Sequence, residues 1–316
     1  MGPLIPALLV AVAALFGVTW AYVLRTRAAF PPVGRFVSAG GARLHVEVRG
    51  RGPALVLVHG AAGVLQDFPE ALRASLARDH TVISFDRAGH GWSGRDRRRL
   101  DLATNLAQLR AALRELGHAR AIIAGHSYGA LVGLQWALDA PEEVEAVVAL
   151  APAAFPYAHA ARFGMLPVIA PGLGHLLSWT LLVPVGLPLS RLVRDRAWWP
   201  QRPPVGPGGP SRAFSFMPSQ FRAFAENAQA VWHESGALSR RYGSARVPLV
   251  IVAGEGDRVT PIARHARPLA GAWSGPTRLV LLPDGGHMLL RSHAEAVAEG
   301  IRTAGALARS AETRGA

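Results

Sequence analysis

Gly125-His126-Ser127-Tyr128-Gly129 places a serine in the pattern G-x-S-x-G. The apolar run Ala121-Ile122-Ile123-Ala124 precedes it, and a helical pattern from Leu131 to Leu138 follows. That context predicts a strand, a sharp turn and a helix, with the Ser127 hydroxyl held exposed at the turn. Glycines on either side let strand and helix pass closely. A serine hydroxyl becomes an effective nucleophile only beside a base, and the base needs a carboxylate to orient it. Asp257 follows the apolar run Leu249-Val250-Ile251-Val252, and His287 follows Leu279-Val280-Leu281-Leu282. Ser127, Asp257 and His287 are therefore expected at strand ends, as nucleophile, orienting acid and base. Glu255 and Asp284 are the rivals for the acid. Among the other histidines, His126 adjoins the nucleophile and is expected to be structural; His265 and His293 are expected in helices, as packing or surface residues.

Acyl transfer through a serine also needs donors for the oxyanion of its tetrahedral intermediate. The amide of Tyr128, at the start of the expected helix, is one. Ala61, in the small-residue segment His59-Gly60-Ala61-Ala62-Gly63 after a strand, supplies the other. His59 reads as a brace for this loop. His59, Gly60, His90 and Trp92 are the candidates for lining a substrate pocket.

The elements that must position these residues follow from periodicity. Arg43 to Val48 alternates, as an antiparallel starting strand would. Leu55-Val56-Leu57-Val58 is a continuous apolar run, and Thr81 to Phe85 and Val147 to Leu150 repeat the pattern, which suits strands buried on both faces. Helical stretches such as Leu100 to Leu116 separate them. The pattern is that of an α/β sheet. It breaks between Ala153 and Gly243, a stretch rich in Pro, Gly, Trp and Phe that reads as an insertion over the sheet. Within it, Phe163 to Ser190 carries no Asp, Glu, Lys or Arg. Pro167, Pro171, Pro184 and Pro188 argue for broken helices with an apolar face rather than a continuous span. Trp198 to Pro210 reads as an irregular loop.

The chain has 316 residues, ample for a sizeable core without staples. With no cysteine, disulfides and a thiolate nucleophile are excluded. The net charge is +13, yet every basic residue is Arg. The one dense run, Arg95, Arg97, Arg98 and Arg99, is interrupted by Asp96 and has no nucleic-acid-binding motif beside it. No nucleic-acid partner, metal or cofactor is expected. Pro3 to Leu24 is uncharged and about the length that spans a bilayer core. Trp20 and Tyr22, then Arg25 and Arg27, mark its carboxyl end and favour that flank staying in the cytoplasm. An uncleaved anchor in the cell inner membrane is expected, with a cleaved signal peptide as the rival.

Together these residues resemble the α/β-hydrolase family, in its lidded AB-hydrolase-1 type, over about Pro32 to Leu307. The resemblance rests on His59-Gly60, on Asp86-Arg87-x-Gly89-His90-Gly91-x-Ser93, on the Ser127 turn, on Asp257 and on Gly286-His287. The order Ser127, Asp257, His287 is the family's chain order. The resemblance implies an eight-stranded, mostly parallel sheet with helices on both faces and a helical cap after the sixth strand. The anchor at 3–24 lies outside the family's core and nothing carries over to it; after it the chain divides into a core at 32–152 and 244–308, a cap at 153–243 and a tail at 309–316. Dehalogenases and epoxide hydrolases of this fold use an Asp nucleophile; Ser127 stands there instead. A serine esterase acting on an uncharged, apolar acyl substrate is expected. Cofactor-free perhydrolases and carbon–carbon bond hydrolases share the triad and stay open, as does an inert membrane-tethered binding protein.

Overall fold

The computed structural model describes residues 4–95, 98–156, 166–203 and 209–315. Residues 1–3, Asp96, Arg97, residues 157–165 and 204–208 of the insertion, and Ala316 lie outside the described residues. A long helix, α1 (Leu4–Ala29), leads into β1 (Arg35–Ala39) and β2 (Ala42–Arg49). Strands and helices then alternate: β3 (Ala54–Val58), α2 (Glu70–Leu76), β4 (Thr81–Phe85), α3 (Leu102–Glu115), β5 (Ala121–His126), α4 (Tyr128–Asp139) and β6 (Val144–Leu150). The insertion supplies α5 (Leu166–Ile169), α6 (Leu173–Thr180), a π turn (Leu182–Gly186), α7 (Leu187–Trp198), α8 (Pro210–Ser215) and α9 (Pro218–Ser239). The sheet resumes with β7 (Leu249–Gly254), α10 (Ala266–Ala272) and β8 (Thr277–Leu282), and the chain ends in α11 (Leu289–Ser292) and α12 (Ala294–Gly315). The final helix therefore continues through most of the expected tail.

The eight strands form one sheet in the order β1-β2-β4-β3-β5-β6-β7-β8. Only the β1–β2 and β2–β4 pairs are antiparallel. Every residue of β3, β5 and β7 is buried, which is why these strands read as unbroken apolar runs. Successive side chains point to opposite faces. Val56, Val58, Ile123 and Ile251 pack with α3 and α4, whereas Leu55, Leu57, Ile122 and Val250 pack with α2 and α12. Helix α12 presents Val297, Ala298, Ile301, Ala304 and Ala308, one helical stripe, to that second layer. The first strand, β1, was not expected from the alternation. Gly40 and Gly41, both at positive φ, join it to β2 in a two-residue turn suited to a hairpin.

Parallel strands aim their carboxyl ends the same way, and β5, β7 and β8 sit on one side of the sheet's centre. The loops after them carry Ser127, Asp257 and His287 to the same edge, beneath the insertion.

Candidate active site

Ser127 has φ 55° and ψ −112°, a left-handed conformation costly for a side chain with a Cβ. The neighbouring glycines make it attainable. A Cβ on Gly125 would lie 2.1 Å from the Gly129 carbonyl oxygen, and one on Gly129 would lie 2.1 Å from that of Val58. Strand β5 thus turns into α4 with backbone against backbone. The turn is tied down on both sides: Ser127 N–H donates to Leu150 O (2.8 Å), and Ser127 O accepts from Ala130 N–H (3.1 Å) and Ala153 N–H (3.3 Å).

Asp257 and His287 come from loops after β7 and β8 and meet at 2.8 Å, His287 Nδ1–H donating to Asp257 Oδ2. The other carboxylate oxygen, Oδ1, accepts from the amides of Val259 (2.7 Å) and Thr260 (2.8 Å). Thr260 Oγ1 adds a bond to Oδ2 at 2.7 Å. Burial would raise the Asp257 carboxyl, but His287 and the Thr260 donors outweigh it and hold the group well below the ordinary carboxylate range. Asp257 is therefore a fixed anion whose bond leaves the imidazole proton on Nδ1 and turns Nε2 outward. Among the described residues no hydrogen bond joins that nitrogen to Ser127 Oγ; such contacts commonly tighten only with substrate bound. The rivals lie elsewhere. Asp284 is exposed and pairs with His293 at 3.1 Å, and Glu255 is exposed with Arg267 at 3.9 Å.

The loop after β3 carries the second expected donor. Gly60 lies against the serine turn, where an added Cβ would sit 3.4 Å from the Ser127 Cβ. Gly60 O accepts from His59 Nδ1–H (2.8 Å), Arg87 NH2 (2.8 Å) and Gly63 N–H (3.1 Å). In a trans peptide the N–H points opposite to the C=O of the same unit. Fixing Gly60 O therefore aims the Ala61 N–H the other way. Fixing Ser127 O does the same for Tyr128 N–H at the first turn of α4. Among the described residues neither amide has a protein acceptor.

The histidines sort by partner. His59 Nε2 accepts from Arg87 N–H at 3.0 Å, which makes it the loop's brace rather than a pocket wall. His90 is fully buried, its Nε2 2.7 Å from Ala61 O, so it too holds the loop from behind. His126 Nε2 lies 2.9 Å from His287 O and positions the His287 backbone. Burial pushes His59 well below its ordinary value and takes His90 and His126 down to about 3, so all three are neutral struts. Trp92 turns toward α1: its Nε1–H donates to Phe30 O at 2.8 Å, with Arg27 5.5 Å above its ring. His265 and His293 sit at helix boundaries rather than inside helices.

Several residues that position this site carry no single-residue signal in the sequence. Thr260 is one. Arg87, which the sequence marks only as part of the Asp86-Arg87-x-Gly89-His90-Gly91-x-Ser93 motif, is another: it is buried, stacks on Tyr128 at 4.7 Å and donates to Asn105 (3.0 Å) and to Asn227 on α9 (2.6 Å). Burial lowers it to about 10, leaving it charged at neutral pH. Gln220, also on α9, donates to Ala62 O (2.9 Å) and accepts from Gly91 N–H (2.8 Å). The Trp199-Pro200 segment after α7 packs on the base loop, where a Cβ on Gly286 would lie 2.1 Å from Trp199 O. In the arginine run, Arg95 pairs with Glu226 of α9 and Arg98 donates to Gly40 O.

Two open hollows of about 270 and 330 Å³ lie at the opposite edge. Arg246 and Pro276 line one, and Pro53, His80 and Arg120 the other; all precede the starts of parallel strands.

Residues 55–300 match the alpha/beta hydrolase family. An uncharacterized protein of Mycobacterium tuberculosis is 28% identical over 267 residues, 81% of this chain and 76% of that one. An esterase from Exiguobacterium antarcticum superposes with a TM-score of 0.70 at 19% identity, covering 86% of this chain and 98% of that one. An enol-lactonase from Burkholderia xenovorans gives a TM-score of 0.66 at 20% identity, covering 85% and 99%. The chain belongs to the alpha/beta hydrolase family.

Proposed function

We propose that this α/β hydrolase is a serine esterase, tethered to a membrane by α1, that cleaves carboxylic esters with uncharged, apolar acyl groups. The observation that carries the reading is the 2.8 Å Asp257–His287 pair at the same sheet edge as a strained, partly exposed Ser127. In this mechanism His287 Nε2 takes the Ser127 proton as Oγ attacks the acyl carbonyl. The amides of Ala61 and Tyr128 receive the oxyanion. Collapse expels the alcohol, which takes its proton from His287, and leaves an acyl group on Ser127. Water, deprotonated by His287, then releases the acid. Asp257 stays ionised throughout and stabilises the imidazolium. In this reading residues 32–152 and 244–308 form the catalytic core, and 153–243 form the lid. The apolar composition of the lid supports the choice of acyl group, and the basic flank at Arg25 and Arg27 supports an inner-membrane protein with a cytoplasmic core.

The test is labelling of the full-length protein with a fluorophosphonate, followed by a panel of esters of graded acyl length. One label per chain on Ser127, lost in Ser127→Ala, is expected, with rates highest on uncharged acyl chains. A folded protein that takes no label, or a Ser127→Ala variant that labels equally, overturns the mechanism. A preference for charged, very short acids overturns the substrate class alone.

A further inference from the structure

Helix α1 is 26 residues long, about 39 Å at 1.5 Å per residue. Its uncharged part, Leu4 to Leu24, is about 31 Å, close to the roughly 30 Å hydrocarbon core of a bilayer. The insertion covers much of that length. Leu4 to Ala11 are exposed all round, but Val12, Leu15, Thr19, Tyr22, Val23 and Thr26 form a covered stripe at helical spacing. Trp179 of α6 stacks on Phe16 at 4.9 Å and meets Trp20 at 5.8 Å. Tyr22 OH donates to Ala213 O of α8 at 3.0 Å. The uncovered turns amount to about 12 Å, well short of a span.

If α1 crosses the hydrocarbon, the surface of the insertion packed on it lies in the hydrocarbon too. The outer face of the insertion fits that setting. Leu173, Leu176, Leu181, Val185 and Leu189 are each 42–58% exposed on α6, the π turn and α7. The two halves, Leu173–Thr180 and Leu182–Ser190, are bent by 57° at their junction and together have the length and composition of a broken span or a re-entrant loop. Their hydroxyls are satisfied within the chain: Ser178 donates to Gly174 O, Thr180 to Leu176 O and Ser190 to Leu187 O, at 2.6–2.7 Å. That pairing lets these three hydroxyls sit where no water is present.

We propose that the hairpin Leu173–Leu189 is inserted into the same bilayer as α1, its outer face against lipid acyl chains. The proposal rests on α1 being a membrane anchor and is independent of the ester chemistry. The absence of cysteine makes it directly testable. Single variants Leu176→Cys, Leu181→Cys and Val185→Cys, with Leu9→Cys on α1 and Ser244→Cys as a distant exposed control, are labelled with an environment-sensitive fluorophore. The full chain is then placed in phosphatidylcholine–phosphatidylglycerol vesicles with or without brominated acyl chains. Blue-shifted emission that bromine quenches by half or more at 176, 181 and 185, with none at 244, is expected. Water-like emission at the three hairpin sites with quenching at 9 overturns the proposal and leaves the anchor standing. Water-like emission at all of them overturns both. Blue-shifted but unquenched hairpin sites mean burial against a second copy and also overturn it. An unchanged melting temperature and far-ultraviolet circular dichroism spectrum in each variant show that the fold survives substitution.

Discussion

Replacing Asp257 by Asn tests the site through a proton rather than a charge alone. Asp257 Oδ1 accepts two backbone amides, at 2.7 and 2.8 Å. The Asn carbonyl must take that place, because an NH2 group there would face two N–H donors. The Asn NH2 then falls where Oδ2 now meets His287 Nδ1 at 2.8 Å, and becomes a donor to it. His287 is forced to carry its proton on Nε2, the nitrogen that receives the Ser127 proton in the proposed mechanism. The backbone bonds that shape the loop survive, so the fold should too. In the serine-protease template, the same change of tautomer lowers kcat by about 10⁴, or about 5.5 kcal/mol of barrier. A comparable fall is expected in both ester turnover and the rate of fluorophosphonate labelling, with the thermal transition little changed. Asp284→Asn and Glu255→Gln, at the exposed rivals, should leave both rates within about twofold. A loss below about tenfold in a folded Asp257→Asn protein, or an equal loss in Asp284→Asn, would refute the assignment of the acid.

Burial raises the Asp67 carboxyl to about 7, and the folded protein therefore holds that proton more tightly than the unfolded chain does. The stability linked to this group is fully present below its ordinary value of 3.8 and is lost as pH rises through 7, by up to about 4 kcal/mol. Asp67→Asn should thus raise the melting temperature at pH 8 and change it little at pH 4; an equal gain at both would contradict the linkage. Gly129→Ala should cost about 3 kcal/mol or more, because its Cβ would meet backbone oxygen of a central strand, and soluble or membrane-inserted yield should collapse. Arg87→Met would leave Gly60 O and the carbonyls of Asn105 and Asn227 short of a donor, at about 1–3 kcal/mol per unsatisfied group. It should also slow labelling of Ser127, and a variant that melts early but labels at the normal rate would confine Arg87 to stability.

The sheet was legible because buried parallel strands leave an unmistakable apolar signature, and β3, β5 and β7 show it. Strand β1 was less so. Its residues alternate in burial, but it is an edge strand of five residues, and the Gly40-Gly41 turn was the stronger signal. Ser127, Asp257 and His287 could be named because strand-end loops of this kind have few residues able to do the chemistry. Their supports could not. Thr260 is one threonine among many until the β7 loop folds it over Asp257. His59, His90 and Trp92 all lie in strand-end loops, but their partners separate them, two behind the loop after β3 and one against α1. A buried hydrogen bond depends on which side of a loop a ring faces, and no periodicity encodes that.

The loop that carries Ala61 is held largely by residues outside itself. Gly60 O rests on Arg87, Ala61 O on His90, and Ala62 O on Ser215 and Gln220, with Gln220 and Ser215 both belonging to the insertion. Arg87 is itself fixed by Asn227 of α9. Each of these bonds holds a carbonyl, and each held carbonyl sets the direction of the next amide. The orientation of the Ala61 N–H is thus set through Gly60 O by His59 and Arg87, and behind Arg87 by Asn227 of the insertion, while Ser215 and Gln220 fix the next peptide of the loop. The insertion also packs on α1 through Trp179 and Ala213. One continuous set of contacts therefore runs from the apolar helix to the proposed oxyanion donor. If the hairpin is seated in lipid as proposed, its depth bears on catalysis through that chain of hydrogen bonds, and Asn227→Leu, which cuts it between α9 and Arg87, should lower the labelling rate while leaving hairpin quenching by brominated lipid unchanged. Quenching lost together with the rate would mean that α9 holds the insertion as a whole, and the hydrogen-bonded connection would lose its support.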